Sequence, residues 1–323
     1  MTRRVKARAY ANIALVKYWG KRKGGGNLPA TSSVSLALHA LLTETEVLRI
    51  KGRYDQIRID GKPADREASH RIKTYLDLWR DRKLISGRFQ VSSRNHFPTG
   101  AGLASSASGF AALTTALSGF ADNKISRLQL SRLARCGSGS AARSVPGGLA
   151  VLPTGTNPGA HSLMTADEIP WGMVIAVVEP GKKKIGSREG MELSRRTSPF
   201  FKAWITQSEL DYRKMRGAVL RRDLAAVGAI AEENALAMHA CMIATRPSLV
   251  YWNGTTVELI KSALKFREEG LGTYFTIDAG PNVIFLCEID DLNTVVRRIK
   301  KIKGVRSVIL SKPAGGSEIV ECE

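Results

Sequence analysis

Residues 95–109 read Asn95-His-Phe-Pro-Thr-Gly100-Ala-Gly-Leu-Ala-Ser105-Ser-Ala-Ser-Gly109. Pro98, Thr99, Gly100 and Gly102 force a sharp turn, and Phe110, Leu113 and Leu117 then recur at helical spacing. A glycine-rich loop that runs into a helix start presents free backbone N–H groups at the positive end of the helix dipole. Such a place binds anions, most often phosphate. Gly-x-Gly alone reads more readily as an ordinary turn before a capped helix. The small residues on both sides shift the reading towards phosphate, because they let the backbone approach a ligand closely. The loop has no Gly-Lys-Ser/Thr, so it is not a Walker A motif, and it lacks the Rossmann fingerprint.

Upstream of the loop, residues 5–15 alternate as a strand that ends in Asn12-Ile-Ala-Leu-Val-Lys17-Tyr-Trp-Gly20-Lys21-Arg22. Lys23-Gly-Gly-Gly-Asn27 is a flexible turn. Extended structure resumes over 28–38, with further strands at 46–50 and 56–60 and a tight turn at Asp60-Gly61. Ile72, Tyr75, Leu76 and Trp79 mark a helix over 66–83, and 89–93 is a strand feeding the loop. Downstream, the loop's helix runs to about Gly119, and Ser126-x-x-Gln129 is a capping box for a helix ending near Cys136. Residues 137–148 form a second Gly/Ser-rich turn with Arg143 inside it, followed by a strand at 149–153 and a loop over 154–170.

A buried-type strand at 172–179 starts a second domain, so the expected division is 1–171 and 172–323. A basic loop follows over 182–190. Ser198-Pro199 then reads as an N-cap with proline in the first helical position, opening helices over 199–219 and 223–243. A helix over 255–269 stops at Gly270. A strand over 274–278 breaks at Ala279-Gly-Pro-Asn282 and resumes over 283–289, before a helix at 291–303 and a strand at 305–310. The pattern is an α+β organisation without internal repeats.

The 323 residues, 43% hydrophobic and 24% charged, suit a globular protein of two ordinary domains or one large one. Cys136, Cys241, Cys287 and Cys322 are scattered, which suggests a reducing compartment and no disulfide framework. The basic N-terminus is followed by no apolar signal segment, and the longest apolar run, 173–178, is too short to cross a membrane. A cytoplasmic protein without membrane contact is the expectation. The net charge of +20 fits either nucleic-acid binding or a field focused on small polyanions. No zinc-finger spacing, basic zipper or aromatic RNA-binding signature accompanies it, and the basic run 297–303 lies on the outer face of an amphipathic helix.

Three features beside the loop can carry chemistry. Lys17 and Lys21 flank a strand end, where lysines suit phosphates or carboxylates but are also common on surfaces. Arg143 sits among small residues, where a guanidinium can grip a carboxylate or phosphate with two parallel hydrogen bonds; a structural ion pair is the other reading. Asp278 ends an apolar strand before Ala-Gly-Pro-Asn, so it either orients and deprotonates a hydroxyl or simply caps the turn. His239 and Cys241 share a helix without partners and read as core. This disfavours nucleophilic catalysis and a protein-held metal.

Taken together, these stretches resemble the mevalonate diphosphate decarboxylases of the GHMP kinase superfamily. The matching segments are Asn12-Ile-Ala-x-x-Lys17-Tyr-Trp-Gly-Lys21, Leu28-Pro-x-x-Ser-Ser-Val-Ser, Phe97-Pro-Thr-x-Ala-Gly-Leu-Ala-Ser-Ser-Ala, Gly137-Ser-Gly-Ser-Ala-x-Arg143-Ser, Glu189-Gly-Met191 and Asp278-Ala-Gly-Pro-Asn. They occur in the family's order over nearly the whole chain. The resemblance implies an α+β fold, with a ribosomal protein S5 domain 2-like N-terminal domain and a ferredoxin-like C-terminal domain. It implies that ATP with Mg²⁺ phosphorylates the tertiary hydroxyl of a phosphorylated mevalonate, and that the new phosphate leaves together with CO₂.

By the same resemblance, Asp278, Arg143 and Lys17 are the catalytic residues. Tyr18, Trp19, Gly20, Lys21, Arg71, Ser138, Gly139, Ser140, Ser187 and Arg188 meet the substrate. Asn95, Gly100, Ala101, Gly102, Leu103, Ala104, Ser105 and Ser106 meet ATP. The family is commonly homodimeric, and that is the expectation here; nucleic acid is not expected as a partner. Two positions depart from the pattern. Gly186-Ser187-Arg188 stands where the family has Ser-Ser-Thr, and Lys312-Pro-Ala-Gly-Gly316 where it has Lys-Pro-Gly-Pro-Gly. The first bears on whether the substrate is the 5-diphosphate or the 5-monophosphate. Relatives that phosphorylate without decarboxylating are a further alternative.

Overall fold

The computed structural model describes residues 3–97, 105–178 and 185–323. In chain order the elements are β1 (Arg4–Val16), β2 (Ser33–Ile50), β3 (Gln56–Ile59), β4 (Lys62–Pro63), α1 (Arg66–Asp81), β5 (Arg88–Asn95), α2 (Ser105–Ser118), α3 (Arg127–Gly137) and α4 (Ala141–Ser144). There follow β6 (Leu149–Leu152), β7 (His161–Met164), β8 (Trp171–Val177), α5 (Ser187–Thr197), α6 (Phe201–Leu220), α7 (Leu224–Ile243) and α8 (Gly254–Glu268). The chain continues through β9 (Tyr274–Thr276), β10 (Val283–Glu288), α9 (Leu292–Ile299), β11 (Ser307–Ser311) and β12 (Glu318–Cys322).

Two sheets organise the molecule. The larger runs β12-β1-β2-β5-β3-β4, with β6 and β7 continuing from the other half of β2. β1 and β2 are antiparallel, from Arg4 opposite Leu48 to Val16 opposite Val34. On one face Val5, Ala7, Val47, Phe89 and Val91 pack against Trp79 of α1 and Phe110, Leu113 and Leu117 of α2. The smaller sheet, β11-β8-β10-β9, is antiparallel throughout. Along β8 the side chains alternate between two cores, as the period of two requires. Met173, Ile175 and Val177 join Tyr212 and Met215 of α6, Val227 of α7 and Ile13, Leu15 and Leu36 of the larger sheet. Val174 and Ala176 join Leu259 and Phe266 of α8 and Val295 and Ile299 of α9. The first of these cores bonds the two sheets into one body, and the ends of β1 and β9 meet at its margin.

Helix starts follow their caps. Asp65 accepts from Ala68 N at 2.8 Å, Asp223 from Ala226 N at 3.0 Å, and Ser126 and Gln129 form the expected capping box. Several expectations change. Of the segments read separately at 28–38 and 46–50, the part from residue 33 onwards and the second segment belong to one long strand, β2. The supposed loop over 154–170 contains β7, which pairs with β6 at Leu149 and Met164. Residues 187–190 begin α5 rather than continuing a loop; Gly190 and Ser194 are the buried positions of that charged helix, and Met191 and Leu193 pack beside them against the cluster that holds Trp19. Ser198 ends α5 instead of capping α6. Its hydroxyl donates to the Cys241 carbonyl at 2.8 Å, and Pro199 cannot continue the helix. β12, not anticipated at all, pairs with β1.

Candidate active site

β1 ends at Val16, and the next residue, Lys17, is clamped by its backbone. Its N–H donates to Asn234 Oδ1 of α7 at 2.8 Å, and its carbonyl accepts from Thr31 at 3.2 Å. Asn234 is itself held, donating to Asp211 Oδ2 of α6 at 2.8 Å. The Lys17 side chain is fully buried, and Nζ donates to Asp278 Oδ1 at 2.7 Å. Asp278 sits just beyond β9 in a turn closed by Gly280 N–H on its carbonyl at 2.6 Å, and its side chain keeps 29% of its exposure. Burial pulls the Lys17 pKa down, and the Asp278 carboxylate opposes that. The pair thus joins the first strand of the large sheet to the turn between β9 and β10.

Arg143 faces the same place from α4. The expected second turn therefore contains a short helix, and that helix aims the guanidinium inwards. Asn12 of β1 secures the helix by donating to Ser144 Oγ at 2.7 Å and to the Ser140 carbonyl at 3.0 Å. Ser33 and Ser35 lie on one side of β2 because they are two apart. They accept from Arg143 Nη1 at 2.6 Å and Nε at 2.8 Å. Arg143 is buried and forms no ion pair among the described residues. Burial lowers its pKa to about 10, with Asp278 working the other way. A buried cation without its own carboxylate is poised for an anionic ligand.

Next to this lies a cluster of cations. Burial, then Arg188 and Arg71, lowers the Lys21 pKa to about 8; burial and Arg188 lower that of Arg71. No ion pair to a carboxylate relieves Lys21, Arg71 or Arg188 among the described residues. Arg71 Nε is cut off from solvent without a partner, and its guanidinium lies over the Phe110 ring at 5.3 Å. Lys21 Nζ donates to Asn27 Oδ1 at 2.8 Å and Tyr18 Oη to the Asn27 carbonyl at 2.7 Å. The hydroxyls of Ser106, Ser138 and Ser140 form a chain with spacings of 3.3 and 3.2 Å. Gly139 permits the approach of Tyr18, since a Cβ there would lie 2.4 Å from its ring. Ser187 and Arg188 stand on the first turn of α5.

A cavity of about 190 Å³ opens between α1, α2 and β5. Ile72, Val91, Phe110 and Leu113 give it apolar walls, while Ser93, Asn95, Ser105 and Ser106 supply polar groups. Asn95 is fixed through Thr43, which donates to its Oδ1 at 2.8 Å. Apolar walls with a few placed polar atoms fit a nucleoside, and the cavity ends where α2 begins. Gly100, Ala101, Gly102, Leu103 and Ala104 fall outside the described residues. No cluster of three or more His, Cys, Asp or Glu side chains suited to a metal occurs among the described residues.

Trp19, expected at the substrate, has its ring buried with Trp204, Met238 and Met242, and its carbonyl accepts from Trp204 Nε1 at 2.9 Å. Its bulk fixes the segment between Tyr18 and Gly20. His239 lies in the core, as expected, but it is not without partners. Its Nε2 lies 3.2 Å from the Asp278 carbonyl and 3.3 Å from Trp252 Nε1. Burial and then Lys17 push its pKa down to about 3, so it is a neutral brace behind the aspartate. Asn234, Asp211 and His239 carry no sequence signal of their own, being polar residues inside helices.

Residues 9–164 match the diphosphomevalonate decarboxylase-like N-terminal domain, and residues 173–315 match the mevalonate 5-diphosphate decarboxylase C-terminal domain. The chain resembles the crystal structure of mevalonate diphosphate decarboxylase from Staphylococcus aureus, with a TM-score of 0.94, 35% identity and 99% of each chain covered. It also resembles MDDEF solved in complex with MVAPP, AMPPCP and magnesium, at a TM-score of 0.92 and 34% identity, over 99% of this chain and 100% of that one. The diphosphomevalonate decarboxylase of Debaryomyces hansenii is 31% identical over 92% of this chain and 84% of its own length.

Proposed function

The chain belongs to the mevalonate diphosphate decarboxylase family, and from that premise we propose that it converts (R)-5-diphosphomevalonate and ATP to isopentenyl diphosphate, ADP, phosphate and CO₂. The observation that carries the residue assignment is the 2.7 Å contact of Lys17 Nζ with Asp278 Oδ1 beside a buried Arg143 that lacks a carboxylate partner. Those three groups suit a substrate that brings one hydroxyl and one carboxylate.

ATP, with Mg²⁺ on its phosphates, supplies the phosphoryl group; Asn95, Ser105, Ser106 and the loop 100–104 hold it. Asp278 accepts the proton of the tertiary hydroxyl and aims its oxygen at that phosphoryl group. Arg143 grips the substrate carboxylate, fixed in turn by Ser33 and Ser35. This aligns the C1–C2 bond with the C3–O bond that now carries phosphate. When the C3–O bond breaks, phosphate leaves with its electron pair. The C1–C2 pair becomes the C2–C3 double bond, and C1 departs as CO₂. Lys17 stabilises negative charge at the reacting centre.

Tyr18, Lys21, Arg71, Ser138, Ser140, Ser187 and Arg188 hold the 5-diphosphate. Lys21, Arg71 and Arg188 place three cations together, with Arg188 lowering the pKa of both Lys21 and Arg71, and three positive charges suit a diphosphate better than a monophosphate. The test is incubation with ATP, Mg²⁺ and either mevalonate 5-diphosphate or the 5-monophosphate, measuring ADP and CO₂. Equal amounts of ADP and CO₂ from the diphosphate are expected. ADP without CO₂ would make the protein a kinase, and CO₂ from the monophosphate alone would reassign its substrate.

A further inference from the structure

On the outer side of the substrate-holding segments lies a second cavity, of about 530 Å³, bounded by the end of α1, the connection between α2 and α3, and α3 itself. Arg82, Lys83, Lys124 and Arg132 line it, against one carboxylate, Asp122. None of these four cations forms an ion pair among the described residues, and Arg132 Nε is buried without a hydrogen-bond partner. Leu84, Ile125 and Leu133 add an apolar wall. Uncompensated cations around a cavity with one greasy side match a small molecule with phosphate at one end and hydrocarbon at the other.

We propose that this cavity is a second binding site, separate from the catalytic one, for a small organic phosphate or diphosphate ester. Its phosphate lies among Arg82, Lys83, Lys124 and Arg132, and its hydrocarbon part lies on Leu84, Ile125 and Leu133. The site has a short route to the substrate. Cys136 lines the cavity, and its carbonyl accepts from Asn27 Nδ2 at 2.9 Å. Asn27 in turn accepts from Lys21 and Tyr18. An occupant that shifts the end of α3 therefore acts on the groups proposed to hold the substrate's phosphates.

Calorimetric titration with isopentenyl diphosphate tests the site without requiring turnover; one ligand at the catalytic site rests on the proposed function, whereas the difference in stoichiometry between the unaltered protein and the variant does not. Two ligands per chain are expected, and one in the double variant Lys124→Ser/Arg132→Gln. Equal stoichiometry in the two proteins overturns the proposal. Lys83→Ser/Lys124→Ser, both at exposed positions, provides a second variant should the first fold poorly. Hydrogen exchange over residues 121–137 should slow on ligand addition in the unaltered protein and not in the variant; no slowing in either overturns the site. Inorganic pyrophosphate should bind there at least tenfold more weakly than the ester. Equal affinity would remove the hydrocarbon contact from the proposal.

Discussion

The Asp278 carboxylate faces two demands: it must stabilise the buried Lys17 ammonium and remain available to a hydroxyl. Its 29% exposure and single short contact to Nζ leave the second oxygen for that role. Asp278→Asn removes the proton acceptor and strips Lys17 of its counter-charge. Turnover should fall by roughly 10²- to 10⁴-fold, with ATP affinity unchanged in a fluorescent-nucleotide titration; undiminished turnover would exclude the proposed role. Lys21 makes a prediction about pH. Its lowered pKa of about 8 belongs to the free enzyme, and only its protonated form attracts phosphate. Below that pH the charge is present. As pH rises through about 8 it is lost, so kcat/KM should decline on that limb while kcat, measured with bound diphosphate holding the proton, does not. Lys21→Met should lack that limb. Lys17, Arg143 and Asp278 were legible because each interrupts a run of small or apolar residues. Their supports were not, since the Asn234 and Lys17 contact spans 217 positions and Asn234 lies mid-helix like any core polar residue.

Among elements, α7 matters most to the site, because it carries both Asn234 and His239. It lies directly on β9: a Cβ at Gly228 would come within 1.9 Å of the Tyr274 ring. Gly228→Ala should tilt the helix away and destabilise the fold by about 1–3 kcal/mol. Thermal unfolding and kcat would report it, and an unchanged melting temperature would refute the close packing. Elements with strong periodicity, such as α1 and β8, were readable in advance. α5 was not, because its only large apolar residues, Met191 and Leu193, are two apart and mark no helical face, while its buried positions are Gly190 and Ser194. β12 was not either, since every residue of it is exposed and pairing alone defines it. α4 hid within a Gly/Ser-rich turn, yet it is what aims Arg143.

For the whole molecule, the net charge of +20 sets up a field that favours substrates carrying several negative charges. Added salt screens it over about 8 Å at physiological strength. Accordingly, kcat/KM for the diphosphate substrate should drop as ionic strength rises, while kcat at saturation holds. A salt-independent kcat/KM would show that the surplus charge serves another purpose. The larger sheet adds a constraint of a different kind. β1 lies between β2 and β12, and Arg4 and Arg8 reach Glu321 at 3.0 Å and Glu318 at 2.6 Å across a separation of some three hundred residues. During synthesis on the ribosome, β1 emerges some three hundred residues before the strand that covers its outer edge. In that interval the nascent chain carries an open strand edge, the kind of surface that pairs with other chains. A stop codon before β12 should therefore yield aggregates rather than a slightly weakened enzyme, and chaperone dependence should be greatest in the interval before β12 leaves the exit tunnel.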